Sequence, residues 1–455
     1  MSDRRTGDAP AATMAGMRTC AVVVLLMSGI APVRAEEPPP PPPLADALAA
    51  AVDLPDPAAR AEAARRVAQR PDATVAALLP LMKGFGAFAP QKPGMRTATV
   101  PLFDGKKPLE AEVAVYTPPG YDPAKPAPVL LAAHAAGAAG KDEAAAWTAV
   151  ADALGMVVVA PTDPGANKGY DFSVAERSLA LSALRWARRK WNIDENRVFL
   201  TGASRGGHLA WDLGLRRPDL FAAVVPCIGG PRLANTRGEN NLRFLENLSR
   251  TPLRDLQGAQ DDEKLLLTLR TVFARFQEWG HPDARLIEFP DRGHDFDLAA
   301  VDWKEWLGKA RRDPLAAEVV RLAVDRAEAR NLWAEILDFG KGAKEQFTLP
   351  VDPRKWNAMT DFDRREAFEK AAEEHTARLR VKRTAPGVYE AEGREVERFR
   401  ILLPEGGFEP GKPVAVAFTG RTVKAVPRPD PRVLLADFVE RFDRTFLPVA
   451  EVRVP

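Results

Sequence analysis

Cysteine is almost missing from this chain: Cys20 and Cys227 are the only two among 455 residues. Cys20 lies in an N-terminal segment with the marks of a cleaved leader, so a processed chain keeps one thiol and forms no internal disulfide. Histidine is scarce as well, with five copies, and none sits in a ligand cluster. Neither a metal nor a cofactor is therefore expected. The 64 Lys and Arg nearly cancel the 62 Asp and Glu, leaving +2 with no concentrated basic block. That balance argues against nucleic acid and for a small-molecule or polymeric substrate. The apolar run Cys20–Ile30 is too short to cross a bilayer.

What is present divides the chain into five stretches. Arg4, Arg5 and Arg18 precede that apolar run, which ends in Val33-Arg-Ala35. A basic start, a short apolar centre and small residues before a cut make a signal peptide over residues 1–35, cleaved after Ala35. Met14 or Met17 is an alternative start, and an uncleaved anchor is the competing reading. Export to the periplasm or beyond follows, with no stable membrane span after cleavage. Residues 36–43 are a proline-rich linker, extended because proline joins neither helix nor sheet. Residues 44–96 form a helical segment of two short helices, broken near Pro55 and Pro71.

From 97 to 312, apolar strands at Glu112–Tyr116, Pro128–His134, Met156–Ala160, Arg197–Leu200, Phe221–Cys227 and Ala284–Phe289 alternate with helical patterns. The expected fold class is α/β: a doubly wound, mostly parallel sheet covered on both faces. Residues 313–455 are expected to form a smaller C-terminal α+β accessory domain. It would hold an amphipathic helix over Leu315–Leu337, a charged helix over Asp361–Leu379 and strands at Lys412–Phe418 and Ala450–Val454. On this division a chain ending near Arg312 would keep the site.

The chemistry gathers at Arg197-Val-Phe-Leu-Thr-Gly-Ala-Ser204-Arg-Gly206-Gly-His208. A strand enters, Gly-x-Ser-x-Gly turns, and a helix leaves, which lifts the Ser204 hydroxyl into the open. The helix N-terminus behind it leaves the Arg205 N–H free for a developing oxyanion. Serine needs a base, and the base an orienting acid. His294, in Asp291-Arg-Gly-His294 after the last strand, stands where that base should arrive; His134, His208, His281 and His375 read as structural. The acid should fall between serine and histidine. Asp261 and Asp262 are adjacent candidates, the Gly258-x-x-Asp261 spacing favours the first, and Asp255 comes next. The second oxyanion donor is assigned to a backbone N–H of Ala135 or Ala136, in the loop after Leu130–His134.

With Leu130–Gly137, Trp147, Asp194-x-x-Arg197-Val, Gly202–Gly207, Gly258–Asp261 and Gly293-His294 in place, Pro101–Leu307 resembles the α/β-hydrolase superfamily. The resemblance is greatest to its bacterial esterase branches: phospholipase/carboxylesterases, polyhydroxybutyrate-depolymerase-like and feruloyl-esterase-like proteins. It implies Ser204 as acylated nucleophile, Asp261 as acid and His294 as base. Ala135 departs from the glycine usual after the histidine. Residues from Arg311 onward resemble, more loosely, C-terminal extensions fused to such hydrolases. The expected activity is exported carboxylic-ester hydrolysis through an acyl-enzyme. The alternatives are a peptidase resembling prolyl oligopeptidases, although no propeller repeats precede the domain, and a non-catalytic binding protein on the same scaffold.

Overall fold

Strands such as Pro128–Ala133 and Met156–Ala160 are apolar at every position, and a strand of that kind is stable only between two covering layers. A computed structural model describes residues 42–165, 168–232, 241–349, 351–356 and 358–455. The leader with Cys20, its cut after Ala35, and most of the proline run lie outside the described residues. From Pro43 to Pro455 the chain forms one compact unit.

Three helices, rather than two, precede the sheet: α1 (Leu44–Asp53), α2 (Pro57–Ala68) and α3 (Val75–Lys83). Both prolines act as breaks, since Asp56 caps α2 just after Pro55 and α2 ends before Pro71. The sheet region then runs β1 (Gly94–Phe103), β2 (Pro108–Thr117), β3 (Ala127–Ala133), α4 (Gly140–Ala146), α5 (Thr148–Leu154), β4 (Val157–Pro161), α6 (Val174–Lys190) and β5 (Ile193–Ala203). It continues through α7 (Arg205–Arg216), β6 (Ala223–Cys227), β7 (Leu253–Gly258), α8 (Glu263–Glu278), β8 (Ala284–Phe289) and α9 (Trp303–Leu307).

The strand order is β1-β2-β4-β3-β5-β6-β7-β8. Only β2 runs against the rest, because both of its pairings are antiparallel and β4 onward pair parallel. Alternation sorts the side chains. Val129, Leu131, Val198 and Leu200 join the core under α6, α7 and α8. Leu130, Ala132, Phe199 and Val225 join the core under α4, α5 and α9. Trp147 separates α4 from α5 and packs its ring on Trp303 at 5.1 Å.

The C-terminal residues depart from expectation at Leu315–Leu337. In place of a helix they form β9 (Glu318–Ala323), β10 (Arg330–Asn331) and the start of β11 (Ala334–Phe339). Val319 and Ala323 face the C-terminal core while Leu322 faces the core of the large sheet. A strand buried on both faces is a continuous apolar run, which periodicity alone does not separate from a buried helix. After α10 (Pro353–Trp356), α11 (Asp361–Glu374) ends short of the expected Leu379. Ala377 instead opens β12 (Ala377–Ala385), which pairs antiparallel with β9. Then follow β13 (Val388–Arg394), β14 (Val396–Pro404), β15 (Val414–Phe418), β16 (Arg421–Ala425), α12 (Pro431–Arg441) and β17 (Pro448–Val454). They make a five-stranded sheet, β16-β15-β13-β12-β9, and a four-stranded one, β10-β11-β14-β17, around a shared core.

This region is tied to the rest by more than sequence. Leu48, Leu78 and Phe85 share a core with Leu434, Phe438 and Phe442 of the α12 segment. Arg185 of α6 donates to the carbonyls of Val52 and Val439 at 2.7 and 2.9 Å. Arg312 pairs with Asp443 at 2.6 Å, and Arg444 with Glu195 at 2.6 Å. Among the described residues, no helix is long and apolar enough to cross a membrane.

Candidate active site

Ser204 occupies the turn between β5 and α7 at φ 56°, ψ −112°. A non-glycine residue there is strained, and its surroundings must over-determine it. They do so sterically: a Cβ at Gly206 would lie 1.9 Å from the Ala133 carbonyl oxygen, and one at Gly202 would lie 2.4 Å from that of Gly206. The Ser204 N–H donates to the Cys227 carbonyl at 2.9 Å, pinning the turn to the end of β6.

His294 follows β8, and Asp261 follows β7. Their loops are packed together, since a Cβ at Gly258 would fall 1.8 Å from the Gly293 oxygen and the Gln260 N–H donates to the Arg292 carbonyl at 2.9 Å. The result is one chain of contacts. Ser204 Oγ lies 2.8 Å from His294 Nε2, and His294 Nδ1 lies 2.8 Å from Asp261 Oδ2. Both fit an imidazole that donates from Nδ1 and accepts the serine proton at Nε2. Asp261 Oδ2 also accepts from Gln257 Nε2 at 2.7 Å, and Oδ1 from the Asp262 N–H at 2.8 Å. Burial works to raise this carboxyl, but those three donors outweigh it and hold Asp261 below the ordinary carboxylate range. Its side chain is 10% exposed against 53% for His294, so the carboxylate is enclosed while the imidazole faces solvent.

The competing carboxylates have other occupations. Asp262 caps α8 by accepting from the Leu265 N–H at 2.9 Å. Asp255 is fully buried in β7, accepts from the Trp211 indole at 2.7 Å, and is pushed well above its ordinary range by that burial. Asp291 is exposed. The other histidines sit on backbone groups: His134 on Ala135, His208 on Gly230, His281 on Leu248 and His375 on Gly342.

The loop after β3 abuts the elbow, since a Cβ at Gly206 would also approach the His134 oxygen to 3.1 Å. Among the described residues, no acceptor engages the N–H of Ala135, Ala136 or Arg205. The left-handed position of this loop is Gly137, at φ 75°, so alanine at 135 and 136 meets no backbone penalty. Also among the described residues, no three His, Cys, Asp or Glu side chains are placed to hold a metal. The sequence reading missed Gln257, whose signal was an amide in an apolar strand, and the part played by the Cys227 carbonyl.

A single reversed strand at the second position, parallel strands beyond it, and a strained serine at the carboxyl end of β5 complete the pattern. The fold is that of an α/β-hydrolase. No family model matches the chain. A poly(3-hydroxybutyrate) depolymerase of Ralstonia pickettii is 32% identical over 97 residues, 19% of this chain and 20% of that protein. The chain spans about a fifth of the length of the curated relative it matches. The LpqC poly(3-hydroxybutyrate) depolymerase from Bordetella parapertussis is similar at 20% identity and TM-score 0.37, over 49% of this chain and 93% of that one. A thermostable esterase is 20% identical at TM-score 0.37, over 48% and 63% of the two chains. FphF, a fluorophosphonate-binding serine hydrolase of Staphylococcus aureus, is 15% identical at TM-score 0.38, over 47% and 98%.

Proposed function

We propose that this protein is an exported serine hydrolase that cleaves carboxylic esters, small or polymeric, through an acyl-enzyme. The observation that carries the reading is the continuous Ser204–His294–Asp261 contact chain beneath a strained elbow. Ser204 Oγ attacks the ester carbonyl carbon as His294 Nε2 takes its proton. Asp261 keeps the other imidazole proton on Nδ1 and stabilises the imidazolium that forms. The tetrahedral oxyanion accepts from the N–H of Arg205 and from that of Ala135 or Ala136. As the intermediate collapses, the C–O bond to the alcohol breaks and His294 returns the proton to the leaving oxygen. Water then repeats the sequence, releasing the acid and restoring Ser204.

A fluorophosphonate probe tests this reading, because it reacts with an activated serine and not with a bystander hydroxyl. Labelling at Ser204, lost in Ser204→Ala together with hydrolysis of p-nitrophenyl butyrate, is the expected result. Ester turnover in Ser204→Ala near the wild-type rate refutes the assignment. Esters of graded acyl length beside aryl and peptide substrates then define the substrate.

A further inference from the structure

The side chain that follows the nucleophile is buried. Arg205 is 5% exposed, although its residue sits at the mouth of the elbow. Its Nη2 donates to Asp163 Oδ2 at 2.7 Å and to Glu176 Oε1 at 2.5 Å. Glu176 is itself fixed at the start of α6, where its other carboxylate oxygen accepts from the N–H and hydroxyl of Ser173 at 3.0 and 2.9 Å. The guanidinium therefore clamps the loop after β4 to the beginning of α6.

Asp163 passes the constraint on. Its backbone N–H donates to His134 Nε2 at 3.0 Å, and His134 Nδ1 lies 2.8 Å from the Ala135 carbonyl oxygen. His134 is 2% exposed, burial pushes its imidazole below the ordinary range, and its Nε2 accepts a backbone N–H and so bears no proton, which leaves a ring with a single N–H. Because Nε2 accepts, that N–H is on Nδ1 and donates to the Ala135 oxygen. Both ring nitrogens are committed.

The Ala135 carbonyl and the Ala136 N–H belong to one planar trans peptide and point in opposite directions. Whatever holds the carbonyl aims the N–H, and two donors hold it: His134 Nδ1 at 2.8 Å and, within the loop, the Ala138 N–H at 3.2 Å. We propose that Arg205, Asp163 and His134 form a positioning relay that orients this peptide, and that the relay makes Ala136, rather than Ala135, the second oxyanion donor. One residue then serves both halves of the hole, with the Arg205 N–H as one donor and its side chain orienting the other. The proposal rests on the serine-hydrolase reading above.

The test uses the full chain and p-nitrophenyl butyrate. Arg205→Met and His134→Leu are each expected to lower kcat about 10- to 100-fold, short of the roughly 10²- to 10³-fold of a deleted donor. KM stays within about twofold and the acid limb of the pH profile does not move, since neither variant touches binding or the base. His134→Gln, whose amide oxygen can still accept from the Asp163 N–H, recovers part of the loss. The double variant is no slower than the slower single one, because both act through one peptide. If Arg205→Met leaves the two carboxylates unpaired and does not fold, Arg205→Lys takes its place in the cycle. Losses that multiply, a change confined to KM, or wild-type kcat in both single variants overturns the relay. Fluorophosphonate labelling of the unaltered protein separates the two readings. Without labelling at Ser204 the hydrolase assignment fails, whereas labelling with multiplicative losses removes only the relay.

Discussion

Asp261 and Asp262 are adjacent, and substituting each in turn tests the site most sharply. In Asp261→Asn, the new amide must place its NH2 toward one of two sets of donors. On the Oδ1 side stands the Asp262 backbone N–H, which cannot turn away; on the Oδ2 side stand His294 and the Gln257 amide. Gln257 can flip, and its Oε1 is buried without a partner, so a flip supplies an acceptor. The NH2 group is thus driven toward His294, where it donates to Nδ1 and moves the ring proton to Nε2. That tautomer cannot accept from Ser204. The loss expected for a misoriented base is about 10⁴-fold in kcat, near 5 kcal/mol of transition-state stabilisation. Asp262→Ala removes only the cap on α8, worth about 1 kcal/mol, with kcat unchanged. Initial rates on p-nitrophenyl butyrate and calorimetric melting of both variants make the comparison. A kcat for Asp261→Asn within tenfold of wild type, or a collapse of kcat in Asp262→Ala, would falsify the assignment.

Other outcomes follow from packing and charge. Gly206→Ala forces a Cβ to within 1.9 Å of a backbone oxygen that cannot yield, so a loss of roughly 3 kcal/mol or more in denaturant unfolding is expected; near-wild-type stability would mean the elbow relaxes. Glu143 is raised by burial from 4.5 to about 7, with the Trp147 indole partly opposing the rise. A raised acid favours folding below its unfolded value and loses that contribution as pH climbs from 4.5 through about 7, so Glu143→Gln should stabilise at pH 8 by on the order of 3 kcal/mol and do nothing at pH 4. Equal melting temperatures for the two proteins at pH 8 count against it. Ending the chain at Arg312, which the sequence reading expected to leave the site working, takes Leu322 out of the large-sheet core and strips Arg185 and the α1–α3 core of their C-terminal partners. Insoluble or unfolded product is expected, and a soluble active fragment would show that the sheet region stands alone.

The elbow was legible because its constraint is local: Gly202 and Gly206 are demanded by neighbours two residues from Ser204 and by the adjacent strand end. His294 was legible by scarcity, and Asp261 by its distance from Gly258 at the end of β7. Leu315–Leu337 was not legible, since Val319, Val320, Leu322 and Ala323 satisfy a helical stripe as well as a strand buried on two faces. What decides is pairing with β12, about sixty residues onward. The apolar faces of α1 and α3 were visible in outline, but their partner α12 lies at the far end of the chain and leaves no mark on the local pattern.

Arg205 shows the same limit at the site itself. An arginine after an exposed nucleophile reads as solvated, because long charged side chains are rarely buried without partners. Its partners are Asp163 and Glu176, polar residues in stretches that individually carry no signal. Only when β4, β5 and α6 are brought together do the two carboxylates converge on the space behind the elbow. The groups proposed to react therefore show in sequence, through motifs that steric necessity keeps short, while the groups proposed to aim them belong to the tertiary fold. A survey of single substitutions scored by kcat rather than by stability should find its second tier of sensitive positions at Arg205, Asp163, His134 and Gln257. Confinement of sensitivity to Ser204, His294 and Asp261 would mean that the surrounding contacts support the fold alone.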